Sequence, residues 1–426
     1  MAWRATHAQV RATVAGAAIA LAGVASGRPE LVVIAAPLVV VAVAAGSARP
    51  RHDPAVEATT GAATVHEDEP LAWTATVGQL PSGALVTGVH PPQRFLEVEP
   101  PDGRMIGAYA DGQAVLELGL TAHRWGRRTL GDPVVTAHDR WLAWRAEPVT
   151  VPGLRLVVLP RPQRATGRAP APHPQGHVGM ERASRVGDGS ELAKVRPFVP
   201  GDRLRRVNWR VSARSGQLHV TATHADADAR VVLMVDALND IGESHGDTGT
   251  PSSMDITVRA AATLAGHYLR RGDRVGLRVF GAWQLTRVPA RAGQVQLRRI
   301  LDALALVEPG TARGTSASAA QHGLGAGALV MLLSPLVEPV ATQQVARLHR
   351  AGHDVVVVDT LPTDLPTAGT DPAALALRIR LIERGVELDR LRSLGIPVTA
   401  WAGPHSLDQV LLELAHRSRA PRLVVP

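Results

Sequence analysis

Arginine suits any place where a flat, bidentate cation must meet a carboxylate or a phosphate, and residues 181–220 concentrate it. This stretch holds nine basic side chains (Arg182, Arg185, Lys194, Arg196, Arg203, Arg205, Arg206, Arg210 and Arg214) against four acids (Glu181, Asp188, Glu191 and Asp202). That excess is five of the chain's eight net positive charges. In an extended run, Arg203 and Arg205 share one face while Leu204 and Arg206 share the other. Three uses follow: internal pairing with Asp202 and Glu191, docking of an acidic protein surface, and contact with nucleic acid, the least favoured. Arg203, Arg205, Arg206, Arg210 and Arg214 are therefore the partner-binding candidates. Trp209, followed by the small Ser212 and Ala213, reads as a plug between sheet and helix layers.

A second candidate lies at Asp236, where the buried-type run Arg230–Val235 opens into a loop. Open α/β sheets place their ligands at this edge. Other chemistries lack their residues. A phosphate loop needs Gly-Lys-Ser/Thr, and the single lysine stands in Ala193-Lys194-Val195. There is no His-Glu-x-x-His pair, and no Gly-x-Ser-x-Gly elbow joins a strand to a helix. Gly323-Leu-Gly325-Ala-Gly327 precedes a strand where a dinucleotide turn would follow one. His173 and His177 stand at helical spacing, but Pro174 between them argues against a helix. No nucleophile, base and oxyanion donor assemble, so a non-catalytic protein is expected.

The elements that must position these residues fall into distinct stretches. Ala12–Gly27 and Leu31–Ala48 are charge-free apolar runs separated by Arg28-Pro29-Glu30. A bilayer core needs ~20 apolar residues per helix, so a two-helix transmembrane hairpin over 10–49 is expected. Arg4 and Arg11 on one side and Arg49 and Arg51 on the other place both outer ends, and the bulk of the chain, in the cytoplasm. A signal peptide ending near Ala25 is the alternative. Residues 55–160 carry short alternating runs (Leu71–Val77, Gln113–Leu120, Leu154–Leu159) between Gly/Pro/Asp turns, which predicts a β-sandwich. Trp73, Trp125, Trp141 and Trp144 read as its core or inter-sheet fillers. Residues 161–184 form a Pro/Gly-rich linker. From 225 onward strands and helices alternate, which implies a mainly parallel sheet covered on both faces. With no cysteine in its 426 residues, the chain has neither disulfides nor thiolate metal sites.

Residues 185–224 also carry a family likeness. Pro200-Gly201-Asp202 is a turn signal, followed by the Arg203–Arg206 run, Trp209, and Ser212-Ala213-Arg214. This order resembles the signature of the family called domain of unknown function 58, with Phe198 for the usual Tyr and Leu192-Ala193 where an acidic-aromatic pair is common. Arg124–Gly131 with Asp139-Arg140-Trp141 is similar to the end of the β-module preceding that signature. The resemblance implies a von Willebrand factor A-like α/β domain over 225–426 and a MoxR-type AAA+ ATPase as partner. In such domains Asp-x-Ser-x-Ser holds a divalent cation at the first strand's end. Here the positions read Asp236-Ala237-Leu238-Asn239-Asp240, with Thr315 or Ser316 as the threonine ligand. Ser334-Pro335 follows Leu333 where a later aspartate is expected. Leu238 and Ser334 remove oxygens that a near-octahedral Mg²⁺ site needs, so a degenerate site without resident metal is expected. The expected function is a membrane-anchored, cytoplasm-facing scaffold serving the ATPase. The alternatives are a nucleic-acid-binding protein using the arginine-rich strand and a metal-dependent enzyme built on Asp236 and Asp240, for which the sequence offers no clear third acidic or histidine ligand.

Overall fold

The computed structural model describes residues 1–58, 62–163, 186–198, 207–224, 230–246, 249–282, 286–310, 324, 328–365, 372–403 and 406. The chain divides into two compact units, Met1–Leu159 and Pro160–Pro426.

The first unit opens with β1 (Trp3–Ala5), α1 (His7–Ser26) and α2 (Pro29–Ser47). Thr6 caps α1 by accepting the Gln9 N–H at 3.2 Å, as a hydroxyl at this position does. Gly27, at φ 64°, ends α1, and Pro29 sits in the first turn of α2. The helices pack antiparallel. Gln9 at one end donates to the Ala42 carbonyl at 2.7 Å, and a Cβ on Gly23 at the other would lie 2.9 Å from the Val32 Cγ2. Small residues meet along this seam, the pattern that lets apolar helices approach closely in lipid. Leu21, Val24, Val33, Ile34 and Val40 face outward. Both helices are long and apolar enough to cross a bilayer.

After them in the chain come β2 (Ala55–Ala58), β3 (Ala62–His66), β4 (Pro70–Gly78), β5 (Leu85–Val89), β6 (Leu96–Glu99), β7 (Arg104–Ala108), β8 (Ala114–Ala122), β9 (Gly126–Thr129), β10 (Val134–His138), β11 (Trp144–Ala146), β12 (Val149–Thr150) and β13 (Arg155–Leu159). One sheet runs β1-β11-β10-β5-β7, a second β2-β4-β8-β6, and a third β3-β13-β9. All three contribute to one core, in which Trp73, Leu116 and Leu118 meet Val86, Met105, Val135 and Leu156. Strict alternation produces this: Trp73, Ala75 and Val77 point inward on β4, and Leu116, Leu118 and Leu120 on β8. Trp125 is also buried, but Trp141 is not a filler, being 50% exposed. It sits in the turn between β10 and β11, outside the alternation that buries its neighbours. Trp144 closes the foot of α2: its Nε1–H donates to the Ala45 carbonyl at 3.0 Å, an end-of-helix acceptor that also takes the Ala48 N–H at 3.3 Å.

In the second unit an antiparallel ribbon pairs β14 (Val186–Pro197) with β15 (His219–His224), and the short α3 (Trp209–Ser215) lies between them in sequence. There follow β16 (Arg230–Asp236), α4 (Ser253–Arg270), β17 (Arg274–Phe280), β18 (Thr286–Arg291), α5 (Gln294–Ala305), β19 (Leu329–Ser334), α6 (Pro339–Arg350), β20 (Asp354–Asp359), α7 (Pro372–Ser393) and β21 (Val398–Ala400). Their sheet has the order β18-β17-β16-β19-β20-β21. It is parallel except for β18, which runs antiparallel to β17 at the edge. Val231–Val235, Leu329–Leu333 and Val355–Val358 are buried on both faces, hence their unbroken apolar sequences. The linker beyond residue 163 and residues 407–426 lie outside the described residues.

Candidate functional site

The sheet order reverses between β16 and β19, the first and fourth strands of the sheet. Connections leave these neighbours in opposite directions, which opens a crevice at their carboxyl ends. Asp236 ends β16 there, 3% exposed. Its Oδ1 accepts the Leu238 N–H at 2.9 Å, and its Oδ2 accepts the Ser334 hydroxyl at 2.5 Å. Ser334 Oγ in turn accepts the Leu336 N–H at 2.9 Å. Burial pushes the Asp236 carboxyl up to about 6, against the pull of its Ser334 and Leu238 hydrogen bonds, with Glu338 adding to the rise. Gly281, at φ 82°, lets the loop after β17 pass close by: a Cβ there would stand 2.6 Å from the Leu238 nitrogen.

Asp240 serves a different element. Its Oδ1 accepts the Met254 N–H at 3.0 Å and the Ser253 hydroxyl at 3.4 Å. Ser253 Oγ accepts the Ile241 N–H at 2.8 Å. A carboxylate here meets the unsatisfied N–H groups of α4 and its dipole. Asn239 reaches Glu338 at 2.9 Å. Thus the two carboxylates singled out as a cation pair are each engaged with separate partners. Thr315 lies outside the described residues, and among those residues no three His, Asp or Glu side chains form a metal-holding group.

Strand β20, on the far side of β19, repeats the pattern of β16. Asp359 ends β20, accepts the Leu361 N–H at 3.0 Å, and pairs with Arg384 of α7 at 2.5 Å. Arg384 also donates to the Pro335 carbonyl at 2.7 Å, tying α7 to the loop after β19. Sequence reasoning passed over this pair, although Val-Val-Val-Val-Asp359 matches Val-Val-Leu-Met-Val-Asp236 in form. Beside Asp359, a cavity of about 590 Å³ opens between the loop over 242–251, α4 and the loops after β20 and β21. Ile256, Leu361, Leu365 and Trp401 give it an apolar wall, with Glu243, His245, Arg259 and Asp364 at hand.

The arginine cluster is visible in part. Arg203, Arg205 and Arg206 lie outside the described residues. Arg210 and Arg214 stand one helical turn apart on α3, both exposed. Asn208 caps α3 by accepting the Val211 N–H at 3.2 Å. Ser212 is the inward residue; its hydroxyl donates to the Asn208 carbonyl at 2.8 Å and accepts the His219 N–H at 2.8 Å. Trp209 corrects the reading made from sequence. It is 68% exposed and plugs nothing. The reason is local: the residue opens a helix whose contact with β15 is made by a small serine, leaving the indole outside.

Residues 194–375 match the family described as "Protein of unknown function DUF58". The chain is also similar to uncharacterized proteins of Mycobacterium bovis and Mycobacterium tuberculosis, each 31% identical over 193 residues. These matches cover 43% of this chain and 59% of each relative, so the chain spans about three fifths of the length of the curated relatives it matches.

Proposed function

We propose that this chain, whose residues 194–375 match the domain of unknown function 58, is a membrane-anchored binding or scaffold protein rather than a catalyst. The exposed Trp209, with Arg210 and Arg214 beside it on α3, carries the reading. An accessible indole next to paired guanidinium groups is the composition of a protein-recognition hot spot. The internally bonded state of Asp236 and Asp240 supports binding over catalysis, since neither carboxylate is poised over an open reaction site. The two apolar helices support anchoring. Arginines near their outer ends support a cytoplasmic side for those ends and for the body of the chain.

A von Willebrand factor A-like fold for the second unit is supported by three features: the reversal of strand order beside the first strand, the single antiparallel edge strand, and an aspartate at the mouth of β16. On that reading the partner is a MoxR-type AAA+ ATPase with an acidic docking face, an inference that rests on family likeness. Crosslinking in intact membranes, with and without ATP and with and without nuclease, tests it. Capture of an ATPase that depends on Trp209 and survives nuclease is the expected result. Capture lost on nuclease treatment would favour the nucleic-acid reading, in which Trp209 stacks on a base and the arginines meet phosphates.

A further inference from the structure

The turn between β10 and β11 is built to hold two apolar side chains in the open. Asp139, itself 3% exposed, organises it: its Oδ1 accepts the Trp144 N–H at 2.7 Å, its Oδ2 the Trp141 N–H at 3.2 Å, and its backbone carbonyl the Leu142 N–H at 3.0 Å. Leu142 stands at φ 56°, a conformation that a non-glycine residue keeps only where its surroundings dictate it. On this rigid frame Trp141 is 50% exposed and Leu142 56%. The Arg140 guanidinium lies 4.9 Å from the Trp141 ring centre.

Strand register fixes where this turn points. Ala5 at the end of β1 pairs with Trp144 at the start of β11, and Trp3 pairs with Ala146. The 139–143 turn therefore leaves the sheet at the edge from which α1 departs. Direct bonds agree: the Thr6 N–H donates to the Ala143 carbonyl at 2.8 Å, and the Thr6 hydroxyl to the Leu142 carbonyl at 2.9 Å. The returning helix ends at the same place, where Ala45 accepts from Trp144 and the Arg49 guanidinium stands 5.3 Å from the Trp144 ring centre. An exposed Trp-Leu pair, rimmed by Arg140, Arg49 and Arg4, thus surrounds the point where two bilayer-length helices meet the domain. Indole rings and arginines with apolar stems both favour the headgroup layer.

We propose that the Asp139–Ala143 turn is a lipid-contacting wedge, with Trp141 and Leu142 inserted between headgroups at the base of the two helices. The proposal rests on the membrane reading of α1 and α2, and the test separates the two. The chain has no cysteine, so single cysteines can be labelled without background. Full-length Leu142→Cys, Val40→Cys in mid-α2, and Asp102→Cys at the opposite edge of the sheet would each carry an environment-sensitive fluorophore in phosphatidylglycerol-containing vesicles. Quenching of the labels at 142 and 40 by brominated lipid, with quenching at 102 by aqueous iodide alone, is expected. Lipid quenching at 40 but not at 142 overturns the wedge and leaves the anchor, whether 142 then meets water or protein. No lipid quenching at 40 overturns both.

Discussion

Replacing Trp209 by alanine separates a structural role from a recognition role. A fully buried tryptophan costs ~3–5 kcal/mol on truncation. Trp209 is 68% exposed, and scaling that cost to its covered third leaves roughly 1–1.5 kcal/mol. For a unit of this size the melting temperature should fall by only about 2–5 °C. As the centre of a docking face, the same indole should contribute ~2 kcal/mol or more to association, a loss of about 30-fold in affinity. The assay pairs thermal unfolding of the purified full-length protein in detergent with titration of the partner captured by membrane crosslinking. Arg210→Ala and Arg214→Ala serve as companions whose effect should weaken as salt rises. A collapse in melting temperature beyond ~10 °C would return Trp209 to the core. Unchanged partner affinity would remove α3 from the interface.

Asp236 carries a pH signature. Its carboxyl is raised from an ordinary 3.8 to about 6, so the folded state favours the protonated form. The associated stability is fully present below pH ~4 and is lost as pH rises through about 6, on the order of 3 kcal/mol in all. Asp236→Asn should flatten the dependence of the denaturation midpoint over that window; an unaltered slope would contradict the burial seen here. Asp240→Ala should cost about 1 kcal/mol through the start of α4, and calorimetric titration of the wild-type protein with Mg²⁺ or Mn²⁺ should show no stoichiometric binding. Micromolar binding abolished by Asp236→Ala would establish a working cation site instead. For sidedness, a reporter fused after Pro426 should be active only if it requires the cytoplasm, and activity of a periplasm-dependent reporter would reverse the topology.

The parts of the fold that were legible in the sequence are those that depend on near neighbours. Arg230–Asp236, Leu329–Ser334 and Asp354–Asp359 read as strands because burial on both faces demands apolar runs, and α4 to α6 show helical spacing between them. β18 was not legible: Thr-Arg-Val-Pro-Ala-Arg carries a proline and two arginines, as an edge strand can and a central one cannot. β1 was hidden for a different reason, since three residues gain their strand identity only from β11. At the site, Asp236 stood out because it breaks an apolar run. The roles of Asp240 and Ser334 did not, because their partners, Met254 and Asp236, lie far off in sequence. The exposure of Trp209 is not legible from the small Ser212 and Ala213 that follow it, although Asn208 and Gly216 mark the two ends of a short helix.

The pairing of β1 with β11 also sets an order of events during synthesis. Thr6 and Leu142, joined by a hydrogen bond, are 136 residues apart in the chain. At ~5–20 residues per second, Thr6 is made roughly 7–27 s before its partner. Both apolar helices emerge within that interval and can reach the bilayer while the edge of β11 does not yet exist. The last strand to dock on β1 therefore closes over a helix pair that has already had time to insert. If one helix alone crossed, β1 and the β11 edge would lie on opposite faces of the membrane, so the sheet can close only on a helix pair that returns to the face it left.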